Sequence, residues 1–173
     1  RRIIAWCTQL ERDQNSILFC ARGGMRSQIA QDWIHAAGYP CSRIAGGFKA
    51  IRNCLLDTLQ QFITTGSIII LSGMTGTGKT RMLHSLFRTI NLEGAANHKG
   101  SSFGRSLEEQ PSQINFESCI LLHLLNLVNI NPNLPIIFED ESRTIGSRQI
   151  PPNLFEKMKQ SPIIIIDKSF DDR

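Results

Sequence analysis

The chain has 173 residues, enough for one large domain or two small ones. With 41% apolar, 20% charged and 7% aromatic residues it reads as soluble and globular, and without a run of eighteen apolar residues it excludes a transmembrane helix. The net charge of +4 is unevenly placed: residues 1–66 carry eight Lys/Arg against four Asp/Glu, whereas residues 67–173 carry eleven of each. A basic first third attracts phosphate or nucleic acid by its field, or is simply a solvated face.

In chain order, Ile3, Ile4, Cys7 and Leu10 recur at helical spacing over residues 1–12. Residues 16–20 form an apolar run and predict a buried strand. Ile29, Ala30, Trp33, Ile34 and Ala37 predict a helix over 27–37 with one apolar face, stopped by Gly38. RIAGGFKAIR places a Gly-Gly turn before a helix over 50–62, and TTGS at 64–67 is the expected boundary between units 1–64 and 65–173. Then follow a strand at 68–71, a helix over 79–90, a polar Gly/Ser-rich loop over 91–111, an apolar helix over 112–128, a strand at 135–139 ending in acids, a short helix over 153–160 and a buried strand at 163–166. Apolar strands alternating with helices imply an α/β fold, its parallel sheet covered on both faces. RRIIAWCTQLERD turns polar too early for a signal peptide, and with no initiator Met and a stop in SFDDR just after an apolar run, a fragment is expected.

The strongest motif is Gly73-Met74-Thr75-Gly76-Thr77-Gly78-Lys79-Thr80, GxxxxGK[ST] in full between a strand and a helix. Its glycines (Gly73, Gly76, Gly78) let backbone N–H groups wrap a phosphate chain, Lys79 reaches the terminal phosphates, and the Thr80 hydroxyl holds Mg²⁺. In IIFEDE an acid at a strand end suits Mg²⁺ held through water, Asp140 ahead of Glu139; a solvated acidic turn is the other reading. Arg143 is placed to pair with these acids or with a ligand phosphate. His98 and Lys99 lie in the long loop, in reach of a ligand phosphate or base, while His35, His84 and His123 read as surface or packing residues.

In LFCARGGMRSQ, Cys20 ends a strand before a turn containing Arg22, Gly23, Gly24, Arg26 and the helix start Ser27. Glycines that tolerate positive φ let N–H groups turn inward as an anion nest, and the arginines and helix start lower a thiol pKa. Cys20 is therefore the candidate nucleophile. The other cysteines, Cys7, Cys41, Cys54 and Cys119, are scattered without CxxC or zinc spacing; they are expected to be small buried hydrophobes in a reducing cytoplasm.

Cys20-x-x-Gly-Gly-x-Arg-Ser resembles the active-site loop of rhodanese-type sulfurtransferases, and a complete P-loop follows it. FCARGGMRSQ, GGFKA, LSGMTGTGKT, NLEGAANHKGSSFG, QPSQINFE and EDESRTIG, in this order, resemble the bacterial tRNA 2-selenouridine synthase family across essentially the whole chain. The resemblance implies part of a rhodanese-like α/β domain, without its N-terminal portion, followed by a P-loop NTPase-like parallel-sheet domain truncated at its C-terminus. It implies a transferase that converts 2-thiouridine at the tRNA wobble position to S-geranyl-2-thiouridine with geranyl diphosphate, then exchanges the group for selenium from selenophosphate. Cys20 matches the family's rhodanese cysteine and 73–80 its P-loop; Ala21 stands where the family often has an aromatic residue.

Expected partners are tRNA, through its anticodon loop, and an enzyme that supplies selenophosphate. Arg22, Arg26, Arg43, Lys49 and Arg52 are tRNA-contact candidates because they hold the excess charge. Whether the P-loop takes ATP or a prenyl diphosphate stays open. So do two other classes: a P-loop NTPase or kinase with a regulatory thiol domain, and a non-catalytic tRNA-binding remnant.

Overall fold

The structure, a computed structural model, describes residues 2–74, 76–99 and 109–168. The chain divides into two compact units, Arg1–Cys54 and Leu55–Arg173. The division falls inside a helix, Gly47–Thr65, whose N-terminal part belongs to the first unit and C-terminal part to the second.

In the first unit α1 (Arg2–Arg12) is followed by β1 (Ile17–Leu18), α2 (Met25–Ala36), β2 (Ser42–Arg43) and the start of α3 (Gly47–Thr65). β1 and β2 pair in parallel, Ile17 with Ser42 and Leu18 with Arg43. Cys7 and Leu10 of α1 are buried, as are Ala30 and Ile34 of α2. Three expectations are corrected. β1 is an exposed two-residue strand, with Ile17 54% and Phe19 50% exposed. Ile29 and Trp33 lie outside the buried stripe of α2. Cys54 is exposed, so helical spacing alone does not decide burial.

In the second unit β3 (Ile68–Gly73), α4 (Lys79–Ser85), β4 (Thr89–Ile90), α5 (Leu92–Ala96), α6 (Gln113–Ile130), β5 (Ile136–Glu139), β6 (Thr144–Ile145), β7 (Arg148–Gln149), α7 (Pro152–Lys159) and β8 (Ile163–Ile166) follow in turn. The sheet is parallel, in the order β4-β5-β3-β8. β4 and β5 lie on one side of β3 and β8 on the other, so the strand order reverses at β3. Ligands of open α/β sheets bind beyond the carboxyl ends of the strands at such a reversal, and the 73–80 turn leaves β3 there. Helices α4, α6 and α7 pack on this sheet. Ile68, Ile70, Leu83, Ile90, Phe116, Ile120, Leu124, Ile136, Phe138 and Leu154 form the core with Leu55, Leu59 and Phe62 of α3. Each such side chain contributes roughly 1.5–3 kcal/mol by leaving water.

The helix expected over 79–90 stops at Ser85: Leu86 turns extended, and Thr89 and Ile90 pair with Ile137 and Phe138. The loop expected over 91–111 opens with α5, capped by Asn91, whose side chain accepts from the Gly94 N–H at 2.6 Å. β8 is not buried: among the described residues it lies at the edge of the sheet, with Ile163, Ile164 and Ile165 57%, 51% and 70% exposed. Glutamines stitch the β6–β7 hairpin to the unit. Gln110 donates to the Ala96 and Ile145 carbonyls and accepts from Ser147, while Gln113 exchanges both backbone hydrogen bonds with Gln149.

Candidate functional site

The Cys20 loop is built from two glycine pairs set against each other. Gly23 and Gly47 have φ of +63° and +59°. A Cβ on Gly47 would lie 1.9 Å from the Cys20 carbonyl oxygen, and one on Gly23 would lie 2.3 Å from the Gly46 nitrogen. Only glycine permits that approach. The start of α3 then donates into the loop, Phe48 N–H to the Cys20 carbonyl at 2.9 Å and Lys49 N–H to the Ala21 carbonyl at 3.1 Å.

Cys20 is half-buried, and its Sγ lies 3.3 Å from the Oγ of buried Ser27, which in turn donates to the Gly24 carbonyl. The thiol pKa is lowered from 9.0 to about 6, first by the Ser27 hydroxyl, then by the Arg22 N–H, with smaller help from the Gly24 and Ser27 N–H groups; partial burial opposes them. The sulfur is therefore held mainly as a thiolate near neutral pH, the form that attacks electrophiles. Arg22 and Arg26 are exposed beside it. Arg43 turns inward: its guanidinium donates to the Gly23 carbonyl at 2.8 Å and to Gln31 at 3.2 Å. Lys49 is exposed and Arg52 half-buried.

In the second unit the glycine-rich turn joins β3 to α4. Gly78 is the N-cap of α4, with φ of +89°. Thr77 is 3% exposed, and both its N–H and its hydroxyl donate to the Met74 carbonyl, at 3.2 and 2.8 Å. A Cβ on Gly73 would meet the Ile166 carbonyl oxygen at 2.7 Å and Thr77 Oγ1 at 2.9 Å. Lys79 donates from Nζ to the Gly73 carbonyl across the turn, while Gly76 and Thr80 are exposed.

The acids at the end of β5 part company because successive side chains point to opposite faces. Asp140 is exposed and accepts from the Ser72 hydroxyl. Glu139 is 1% exposed and lies with Glu141 and Glu93 of α5, one carboxylate oxygen of each within 4.8 Å of the others. The Glu139 carboxyl pKa is raised from 4.5 to about 7, chiefly by burial and then by the Glu93 charge; the Glu93 N–H and Lys79 pull the other way. Glu141 is also raised to about 7, by burial first and then by Glu93 and Glu139, against Lys79. Lys79 thus acts on two of the three carboxyls in the cluster, Glu139 and Glu141.

The chain matches the family model described as tRNA 2-selenouridine synthase AAA domain over residues 66–173. The chain belongs to the tRNA 2-selenouridine synthase family. It is 43% identical over 173 residues to the tRNA 2-selenouridine synthases of Shewanella frigidimarina and Marinobacter nauticus, in each case covering 100% of this chain and 47% of the relative. It is 42% identical over 172 residues to that of Pseudomonas syringae pv. tomato, covering 99% of this chain and 47% of the relative. The chain spans about half the length of the curated relatives it matches. No solved structure matches it.

Several stretches that carried the family resemblance hold the structure together: GGFKA packs on the Cys20 loop, and QPSQINFE clamps the EDESRTIG hairpin. Among the other candidates, Arg143 and Lys99 are exposed, and His98 is half-buried with its Nδ1 enclosed and without a hydrogen-bond partner. Thr75 and residues 100–108 of the long loop lie outside the described residues. Sequence reasoning missed Glu93, Glu141 and Ser72. Asn91 before a short apolar stretch is a helix-start signal for α5, but nothing local pairs Glu93 with β5.

Proposed function

We propose that the protein containing this chain modifies the wobble uridine of tRNA, converting 2-thiouridine to 2-selenouridine through S-geranyl-2-thiouridine, with geranyl diphosphate and selenophosphate as co-substrates. The observation that carries the reading is an acidic thiol in an N–H-lined loop and a glycine-rich phosphate-type turn, in a chain about 40% identical to proteins named tRNA 2-selenouridine synthase. The first unit is then the C-terminal part of a rhodanese-like domain, and the second a P-loop domain.

In the geranylation step Gly73, Gly76, Gly78, Lys79 and Thr80 cradle the diphosphate. The uridine sulfur attacks C1 of the geranyl group, the C–O bond breaks, and the electron pair leaves with the diphosphate. Lys79 stabilises the charge that develops there, which is electrostatic catalysis. When bound, Mg²⁺ supplies further positive charge at the same leaving group. Thr80, Asp140 and Glu139 are its candidate ligands, and the buried, unpartnered Glu139 Oε2 fits a cation. In the selenium step the anion-stabilising Cys20 loop receives selenophosphate, whose selenium attacks C2 of the S-geranyl-2-thiouridine; the C2–S bond breaks and geranylthiolate leaves, water then takes the phosphoryl group from selenium as phosphate, and Cys20 positions the selenium donor. Arg22, Arg26, Lys49 and Arg52 supply phosphate contacts to tRNA, a compartment with tRNA being the cytoplasm.

The test is mass spectrometry of 2-thiouridine tRNA incubated with the full-length protein and geranyl diphosphate, with and without selenophosphate. Lys79→Ala is expected to abolish the geranylated product, and Cys20→Ser to lose only selenouridine. Unchanged turnover of Lys79→Ala at saturating donor refutes the diphosphate role. ATP hydrolysis without tRNA, together with no tRNA product, favours an NTPase instead.

A further inference from the structure

We infer that Glu93, Glu139 and Glu141 form a binding site for one hard divalent cation beside the 73–80 turn, with Glu93 and Glu141 as ligands in addition to the strand-end acid. The first indication is the geometry and chemistry of the cluster. One oxygen of each of these carboxylates lies within 4.8 Å of the others, so one ion can reach all three. All the donors are carboxylate oxygens, the chemistry that selects Mg²⁺, Mn²⁺ or Ca²⁺ over softer metals. The spacing is at most about twice a Ca²⁺–oxygen distance, and a modest inward movement of the half-buried Glu93 and Glu141 carboxylates suits the smaller ions.

The second, independent indication comes from Glu139. Its residue is 1% exposed, and its Oε2 is buried with no hydrogen-bond partner. Buried polar atoms are almost always partnered, so a bare carboxylate oxygen on a residue clustered with two further carboxylates points to a missing ligand. Glu93 reaches the cluster from α5, while Glu139 and Glu141 come from the end of β5. The site is therefore assembled from two segments, and its position along β5 is set by the pairing of Leu71 with Glu139, two residues before Gly73. Asp140 is not one of the three clustered carboxylates; it accepts from the Ser72 hydroxyl at the same strand end. The inference extends the Mg²⁺ assignment made for the diphosphate step, yet stands without it, since binding of the ion needs neither tRNA nor a prenyl donor.

The experiment is titration of the intact protein with Mn²⁺ alone, followed by the electron paramagnetic resonance of free Mn²⁺, with Mg²⁺ and Ca²⁺ as competitors. One Mn²⁺ is expected to bind the wild type and to be displaced by the competitors. Glu93→Gln and Glu141→Gln are each expected to weaken it about ten-fold or more, while Glu156→Gln, exposed on α7 and outside the cluster, keeps it. Far-UV circular dichroism and melting of Glu93→Gln and Glu141→Gln establish that they fold; Glu93→Asp, retaining charge, is expected to retain part of the affinity. No Mn²⁺ binding to the wild type overturns the inference. So does binding lost in Asp140→Asn and Thr80→Ala but unchanged in Glu93→Gln and Glu141→Gln. If Mn²⁺ binds as expected while tRNA geranylation is absent, the cation site stands and the prenyl reading falls.

Discussion

At the scale of single residues, the acidity of Cys20 comes from one side chain and a few N–H groups. Ser27 is the largest of these contributions. A group whose pKa is lowered on folding is reactive above that pKa and loses reactivity as pH falls through it. Iodoacetamide labelling of Cys20, followed by peptide mass spectrometry because Cys54 is also exposed, should therefore rise with a midpoint near pH 6. In Ser27→Ala the midpoint should move up toward 9.0, the ordinary value. An unchanged midpoint would assign the acidity to the backbone alone. Glycines offer a second contrast. Gly78 has φ of +89° but open space around a Cβ, whereas Gly47 combines φ of +59° with a Cβ position 1.9 Å from the Cys20 carbonyl oxygen. Gly78→Ala should cost about 1 kcal/mol from backbone strain alone. Gly47→Ala should cost about 3 kcal/mol or more, because backbone must move; denaturant titration compares them. That Cys20 and the glycines matter was legible in LFCARGGMRSQ and GGFKA. That the two stretches touch was not, because a glycine's need for space is set by what lies opposite it.

Among the elements, α6 shows how a long helix is finished by a distant side chain. Arg88 donates to the Leu127 and Asn131 carbonyls at 2.8 Å each, and to Leu134 and Pro135 at 3.1 and 3.3 Å. The last carbonyls of a helix lack partners within it, and a guanidinium presents a fixed fork of donors. Arg88→Ala should destabilise the second unit by about 3 kcal/mol, given the strength of charged hydrogen bonds. Hydrogen exchange should quicken first around residues 127–131, and Arg88→Lys should restore less than half of the loss. Equal exchange in variant and wild type would count against a capping role. Element type was readable where periodicity ran long, as in α1, α6 and α7. It failed at the two-residue strands β2, β4, β6 and β7. Met82, Leu83, Leu86 and Ile90 keep a helical spacing, yet Ile90 is fully buried in strand β4 and Leu86 is extended. A two-residue strand carries no period of its own and exists only because β5 pairs with it.

For the whole molecule, the uneven charge sets an expectation about nucleic acid. The excess of Lys/Arg in residues 1–66 includes exposed Arg22, Arg26 and Lys49. If these contact phosphates, tRNA affinity of the full-length protein falls steeply as salt rises. Arg22→Ala with Arg26→Ala should then lower the log–log salt slope by about one for each phosphate contact removed, measured by filter binding. A slope unchanged in the double variant would place tRNA elsewhere.

The sequence by itself determined the two glycine-rich loops, the thiol between arginines, and the alternation of strands and helices, because each is written in neighbouring residues. Tertiary structure alone decided the order β4-β5-β3-β8, and with it the exposure of β8, which a continuous isoleucine run disguised as buried. It alone turned Arg43 inward, separated Asp140 from Glu139, and brought Glu93 to Glu139 and Glu141. The reason is physical: which strand edge is paired, and which carboxylates share a face, depend on partners tens of residues away, and no local periodicity encodes them.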